Sequence, residues 1–149
     1  MNIPNAVPST ESTGRIVRTF SDGIPILWTL VPELPGDSER RASPWLTVVS
    51  WVYDGSSRDG MPDDVTNAQM LKLEGALGQI ERPGACREAY RRIGRNLREF
   101  AFYVSNRDQF LGELNEHLAR HPQYPIEIKF FEDPLWSDFE ELVHDLGLA

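Results

Sequence analysis

A chain of 149 residues with 40% apolar content can bury about two thirds of the surface its unfolded form exposes, which predicts one domain around one core. A charged fraction of 26% and 10% aromatic residues exclude a disordered chain, and the lone Cys86 excludes an internal disulfide scaffold. The net charge of -8 disfavours general nucleic-acid binding, and no apolar run approaches the roughly 20 residues of a membrane helix.

Met1 to Thr13 is polar, with neither a basic start nor an apolar stretch, which predicts no secretory leader. The expected setting is soluble and cytoplasmic, with no membrane contact. Residues 1–12 read as a flexible tail and residues 13–149 as a single α+β domain.

Arg15 to Phe20 and Ile24 to Val31 read as two strands joined at Ser21-Asp22-Gly23, a hairpin signal. Pro32 to Pro44 reads as a loop. Trp45 to Tyr53 is rich in Val, Trp and Thr and apolar on both faces, as a central strand is, and it ends in the turn cluster Asp54 to Gly60. Pro62, Asp63 and Asp64 then open a helix, their carboxylates favourable at its N-terminal dipole. Met70, Leu73, Leu77 and Ile80 recur at helical period until Arg82-Pro83-Gly84.

Arg87 to Ile93 and Leu97 to Val104 flank Gly94-Arg95-Asn96 as a second hairpin, its first strand rich in Arg and its second nearly all apolar. Asn106 caps the next helix, in which Phe110, Leu111, Leu114 and Leu118 form the buried stripe before His121-Pro122. Ile126, Ile128 and Phe130 alternate with Glu127 and Lys129 in a further strand. Asp133 caps a last helix, Pro134 to Leu146, with Leu135, Phe139, Leu142 and Leu146 inward and Gly147 at its end.

From Trp45 onward the order is strand, helix, strand, strand, helix, strand. The expected fold is therefore α+β, a ferredoxin-like βαββαβ sandwich with an added N-terminal β-hairpin and a C-terminal helix. The two doubly apolar strands take the centre of that sheet. The Arg-rich strand and the alternating strand take its edges, where charge discourages unwanted pairing.

Several segments carry a further likeness. Gly23-Ile-Pro-Ile, Pro44-Trp-Leu-Thr-Val, Gly60-Met-Pro, Leu73-Glu-Gly-Ala-Leu, Arg98-Glu-Phe-Ala-Phe-Tyr-Val and Glu132-Asp-Pro-Leu-Trp136 resemble, in order and spacing across residues 15–146, a bacterial family filed as domain of unknown function 695. The second half, with its hairpin strand and Asp-Pro-x-Trp ending, also resembles the regulator of ribonuclease activity B. That family implies a small acidic ferredoxin-like protein that inhibits ribonuclease E by binding it. Neither resemblance implies catalytic residues.

Three constellations bear on chemistry. Phe100 and Phe102 share a strand face, as the stacking aromatics of an RNA-recognition strand do, although a plain core strand has the same alternation. Arg82, Arg87, Arg91, Arg92, Arg95 and Arg98 form a basic patch in which Arg91 and Arg95 are candidates to hold a phosphate or carboxylate; the alternative is pairing with the chain's own acids. Glu113, His117 and His121 have helical spacing suited to zinc, but a His just before Pro122 interacts with terminal carbonyls without any metal. No metal or cofactor is expected. Phosphate-loop, dinucleotide-binding, Gly-x-Ser-x-Gly and His-Glu-x-x-His motifs are all missing, which argues against catalysis.

Charge partition gives the functional expectation. Residues 1–107 carry 13 acids and 13 bases, whereas residues 108–149 carry ten acids against Arg120 and Lys129. The expected function is a non-enzymatic protein-binding regulator or inhibitor whose acidic C-terminal surface, at Asp138, Glu141 and Asp145, meets a basic partner protein. A ribonuclease regulator and a toxin-neutralising immunity protein both fit that description. The alternatives are a single-stranded RNA binder using Phe100, Phe102 and the arginine hairpin, or an enzyme of unknown type.

Overall fold

Residues 14–149 are described by the computed structural model, and the expected tail, residues 1–12, lies outside them. The strands are β1 (Arg15–Ser21), β2 (Ile24–Leu30), β3 (Trp45–Val52), β4 (Cys86–Gly94), β5 (Leu97–Val104) and β6 (Ile126–Glu132). They form one antiparallel sheet in the order β1-β2-β4-β5-β3-β6. The helices are α1 (Asp37–Ala42), α2 (Asp64–Ile80), α3 (Arg107–His117) and α4 (Ser137–Asp145).

The fold is α+β, and its last four strands stand in the split βαβ order of a ferredoxin-like sheet, with β3 and β5 inside. Asp22 and Gly23 make the first hairpin turn with positive φ. The hairpin docks through Leu27 to Leu30 of β2 against Tyr90 to Ile93 of β4. The Arg-rich strand is therefore interior. The expected edge position falls to β1 instead, because the hairpin covers the β4 ladder that a four-stranded sheet would leave open.

α2 and α3 pack on one face. Asp63 caps α2 by accepting a hydrogen bond from the Thr66 N–H at 2.8 Å, and Asn106 caps α3 by accepting one from the Gln109 N–H at 2.8 Å. Met70, Leu73 and Leu77 of α2 and Phe110 and Leu114 of α3 close over Val49, Trp51, Phe100 and Phe102 of the sheet.

The C-terminal helix lies on the opposite face, where Trp136, Phe139 and Val143 cover Leu46, Ala101 and Tyr103. This is why the central strands are apolar on both sides. α4 starts at Ser137 rather than Pro134, because Trp136 takes a left-handed conformation (φ 59°) that breaks the helical path. Asp133 still satisfies the new end, accepting from the N–H of Ser137 at 2.9 Å and of Asp138 at 3.0 Å. Leu135, expected inward, is consequently exposed, and Val143 takes a buried place beside Phe139. The segment read as a loop contains α1, seated by the Trp136 indole N–H, which donates to the carbonyls of Arg40 and Ser43.

Candidate functional site

Helix α4 is short, and half of its sheet face stays open. Register defines that half: Trp28, Arg92, Glu99, Ser50 and Glu127 make one cross-strand row, and Leu30, Tyr90, Ala101, Val48 and Lys129 make the row at its border, where Leu30 and Ala101 are already buried. A one-residue bulge at Ala89 decides the first two positions on β4. Without it, strict alternation from Arg87 would turn Tyr90 and Arg92 toward α2; with it they face the open side and Arg91 faces α2.

Beside the first turn of α4 this face sinks into a cleft of about 570 Å³. Its floor is Val48, Ser50 and Glu99, and its walls are Tyr90, Phe131 and Asp138. Asp133 at its rim is fully engaged, with the Tyr103 hydroxyl donating to it at 2.8 Å beside the two helix N–H groups. Among the described residues Glu99 accepts only a long bond from the Tyr90 hydroxyl, 3.4 Å. Lys129 also lines the cleft, and its ammonium lies 3.5 Å from Glu127.

Electrostatics follow from that geometry. Burial, then the Glu99 and Asp138 carboxylates, push the Tyr90 phenol well above its ordinary range, so it remains a hydroxyl donor at neutral pH. Arg92, in register with Glu99, lies over the Trp28 ring at 5.6 Å and donates to the Gly94 carbonyl at 2.6 Å. It makes no ion pair among the described residues, and neither do Glu99 and Asp138. The arrangement can receive a cation or hydrogen-bond donor beside the apolar surface of Val48 and Phe131.

The residues singled out in the sequence land in different places. Asp138 lines the cleft; Glu141 and Asp145 are exposed further along α4, with Asp145 3.7 Å from His144. Arg91 is tied to Glu74 at 2.8 Å and Glu88 at 3.1 Å, while Arg95, at the hairpin tip, donates to the Ser21 carbonyl and meets Asp22 at 3.4 Å. The two arginines serve separate carboxylates. Arg82, Arg87 and Arg98 likewise hold Glu113, Glu39 and Glu74.

Phe100 and Phe102 are each 1% exposed beneath α2 and α3. They take the plain core position that their alternation also allowed. Of the three residues with zinc-like spacing, Glu113 is held by Arg82, and His121 shares a 2.8 Å hydrogen bond with the Tyr124 hydroxyl. The sequence reading missed Tyr90, Glu99, Ser50 and Phe131. The available signal was the pair of polar residues Ser50 and Glu99 in mostly apolar central strands, on the strand face opposite Phe100 and Phe102.

Among the described residues no helix is long and apolar enough to cross a membrane. No curated protein and no solved structure matches the chain. The family model for a family of unknown function, DUF695, matches residues 15–143, and the chain belongs to that family.

Proposed function

We propose that the protein is a non-enzymatic binding regulator or inhibitor whose acidic C-terminal surface docks on a basic partner protein. One observation carries the reading: the arginines of β4 and β5 are mostly neutralised inside the fold, whereas Asp138, Glu140 and Glu141 on α4 make no ion pair among the described residues. Four acids, Asp138, Glu140, Glu141 and Asp145, are thus exposed on one helix that carries no Lys or Arg. Such a surface steers association and disfavours polyanionic ligands. Control of a ribonuclease and neutralisation of a basic antibacterial toxin are the two biological forms of this function, and a cytoplasmic bacterial protein suits either.

The test is capture of partners on the tagged protein from the source lysate, at low and moderate salt, with and without nuclease. A single basic protein retained after nuclease treatment is the expected result. The triple reversal Asp138→Lys, Glu141→Lys and Asp145→Lys should abolish its retention. Unchanged retention by that variant, or capture of RNA alone, overturns the reading.

A further inference from the structure

The open cleft beside α4 carries more than negative charge. It has apolar surface in Val48 and Phe131, the Tyr90 hydroxyl, and two carboxylates, Glu99 and Asp138, that make no ion pair among the described residues. Its volume, about 570 Å³, lies in the range of sites that enclose a side chain or a small ligand. The nearby cations already have partners in the fold: Arg92 has the Trp28 ring and the Gly94 carbonyl, and Lys129, which also lines the cleft, stands 3.5 Å from Glu127. The Glu99 and Asp138 carboxylates both bear on the same phenol, from the sheet and from the first turn of α4 respectively.

We propose that the cleft receives an arginine side chain of a protein partner, its guanidinium bridging Glu99 and Asp138 beside Tyr90 and its methylene stem lying on Val48 and Phe131. The inference rests on the acidic-surface reading and names the group that anchors it. Arginine fits better than lysine because a planar fork of donors can serve two carboxylates at once and stack on an aromatic ring, whereas an ammonium is a single point charge. Phosphate-bearing ligands are disfavoured here, since Glu99, Glu132 and Asp138 would face them against Lys129 alone.

The experiment is titration of the isotopically labelled full chain with acetyl-Gly-Arg-Gly-amide, followed by amide chemical shifts. The lysine and citrulline versions of the peptide and acetyl-arginine amide serve as comparison probes. Saturable shifts at Ser50, Tyr90, Glu99 and Asp138 are expected at concentrations up to about 10 mM. Binding should be several-fold weaker for lysine and absent for citrulline. Glu99→Gln and Asp138→Asn should each weaken arginine binding at least about fivefold while leaving the spectrum otherwise native, because the amide at position 99 keeps an acceptor for Tyr90 and the N–H groups that open α4 are held by Asp133.

Shifts confined to Glu141 and Asp145 would overturn the cleft assignment and leave the acidic-surface reading standing. No shift with the arginine peptide would also overturn it, with the acidic surface then judged by the charge-reversed variant alone. Equal binding of acetyl-arginine amide and the peptide would make this a small-molecule pocket and overturn the protein-side-chain assignment.

Discussion

Glu88 sits on the α2 side of β4, half-buried, with its carboxylate 3.1 Å from the Arg91 Nε and its backbone N–H donating to Glu81. Burial pushes its carboxyl from 4.5 up to about 7; Arg91 works against that rise, and Glu81 and Glu74 add to it. The folded protein therefore holds this proton to higher pH than the unfolded chain does. Between about pH 4.5 and 7 the native state binds the extra proton, so this residue makes stability fall as pH rises through that window. Asp63 and Glu113 are shifted downward, by the Thr66 N–H and by Arg82, and their contributions are lost only as pH falls below the ordinary carboxylate range. Glu88→Gln should flatten the loss between pH 5 and pH 8, which for this one group amounts to at most about 3 kcal/mol. Urea denaturation of both proteins at pH 5, 6, 7 and 8 measures it, and parallel pH profiles would show that Arg91 fully compensates the buried charge. Residue chemistry of this kind was partly legible in the sequence. Pairing of the Arg patch with the chain's own acids was an expected alternative, but which acids it holds depends on the Ala89 bulge, and a single extra residue leaves no trace in composition.

At the scale of elements, Gly94 separates what local pattern can and cannot tell. It reads as part of a Gly94-Arg95-Asn96 turn, yet the two turn residues are Arg95 and Asn96, both with positive φ, between Gly94 and its partner Leu97. Gly94 itself serves a close approach: a Cβ there would stand 2.7 Å from the Pro25 carbonyl oxygen and 2.9 Å from the Ile26 Cα, both backbone atoms of β2. Neither can yield without moving the strand. Gly94→Ala should thus cost more than about 1 kcal/mol, the reverse of the small gain such a change gives at an open site. Hydrogen exchange locates the loss: protection should fall across Ile24 to Leu30 and persist in β5, whereas uniform loss would mean the hairpin is not a separable unit. Capped, periodic helices such as α2 and α3 were legible because their signals are local. Helix α1 was not, since it buries no residue of its own and is held by an indole 93 and 96 residues further along the chain. The start of α4 was misplaced for a related reason: Asp133-Pro134 looks like a cap and first turn, but stacking of Trp136 on Tyr103, 4.1 Å between ring centres, sets the helix three residues later.

For the molecule as a whole, the question is whether α4 is an appendage to a ferredoxin-like sheet or part of what makes the sheet stable. The strand pattern from Trp45 onward predicted the order of the last four strands, because alternation and double-sided burial are written into each strand. The open cleft was out of reach, since it exists only where a short helix stops covering a face, and that depends on length and docking together. Only Asp138 was anticipated among its residues. Removal of residues 134–149 decides the structural question. The deleted segment takes its own ordering cost with it, so the balance turns on the sheet residues it uncovers. Leu30, Leu46 and Tyr103 are each at most 5% exposed on that face, and burying such side chains contributes about 5–9 kcal/mol in all. A domain of this size has roughly 5–15 kcal/mol of net stability. The truncated chain should accordingly lose its cooperative thermal transition and its near-ultraviolet circular dichroism while keeping much of its far-ultraviolet signal, and it should bind a hydrophobic dye. If calorimetry instead shows a single sharp transition within a few degrees of the full chain, α4 is an appendage. The apolar patch beneath it, rather than the cleft at its edge, would then be the larger surface left for a partner to cover.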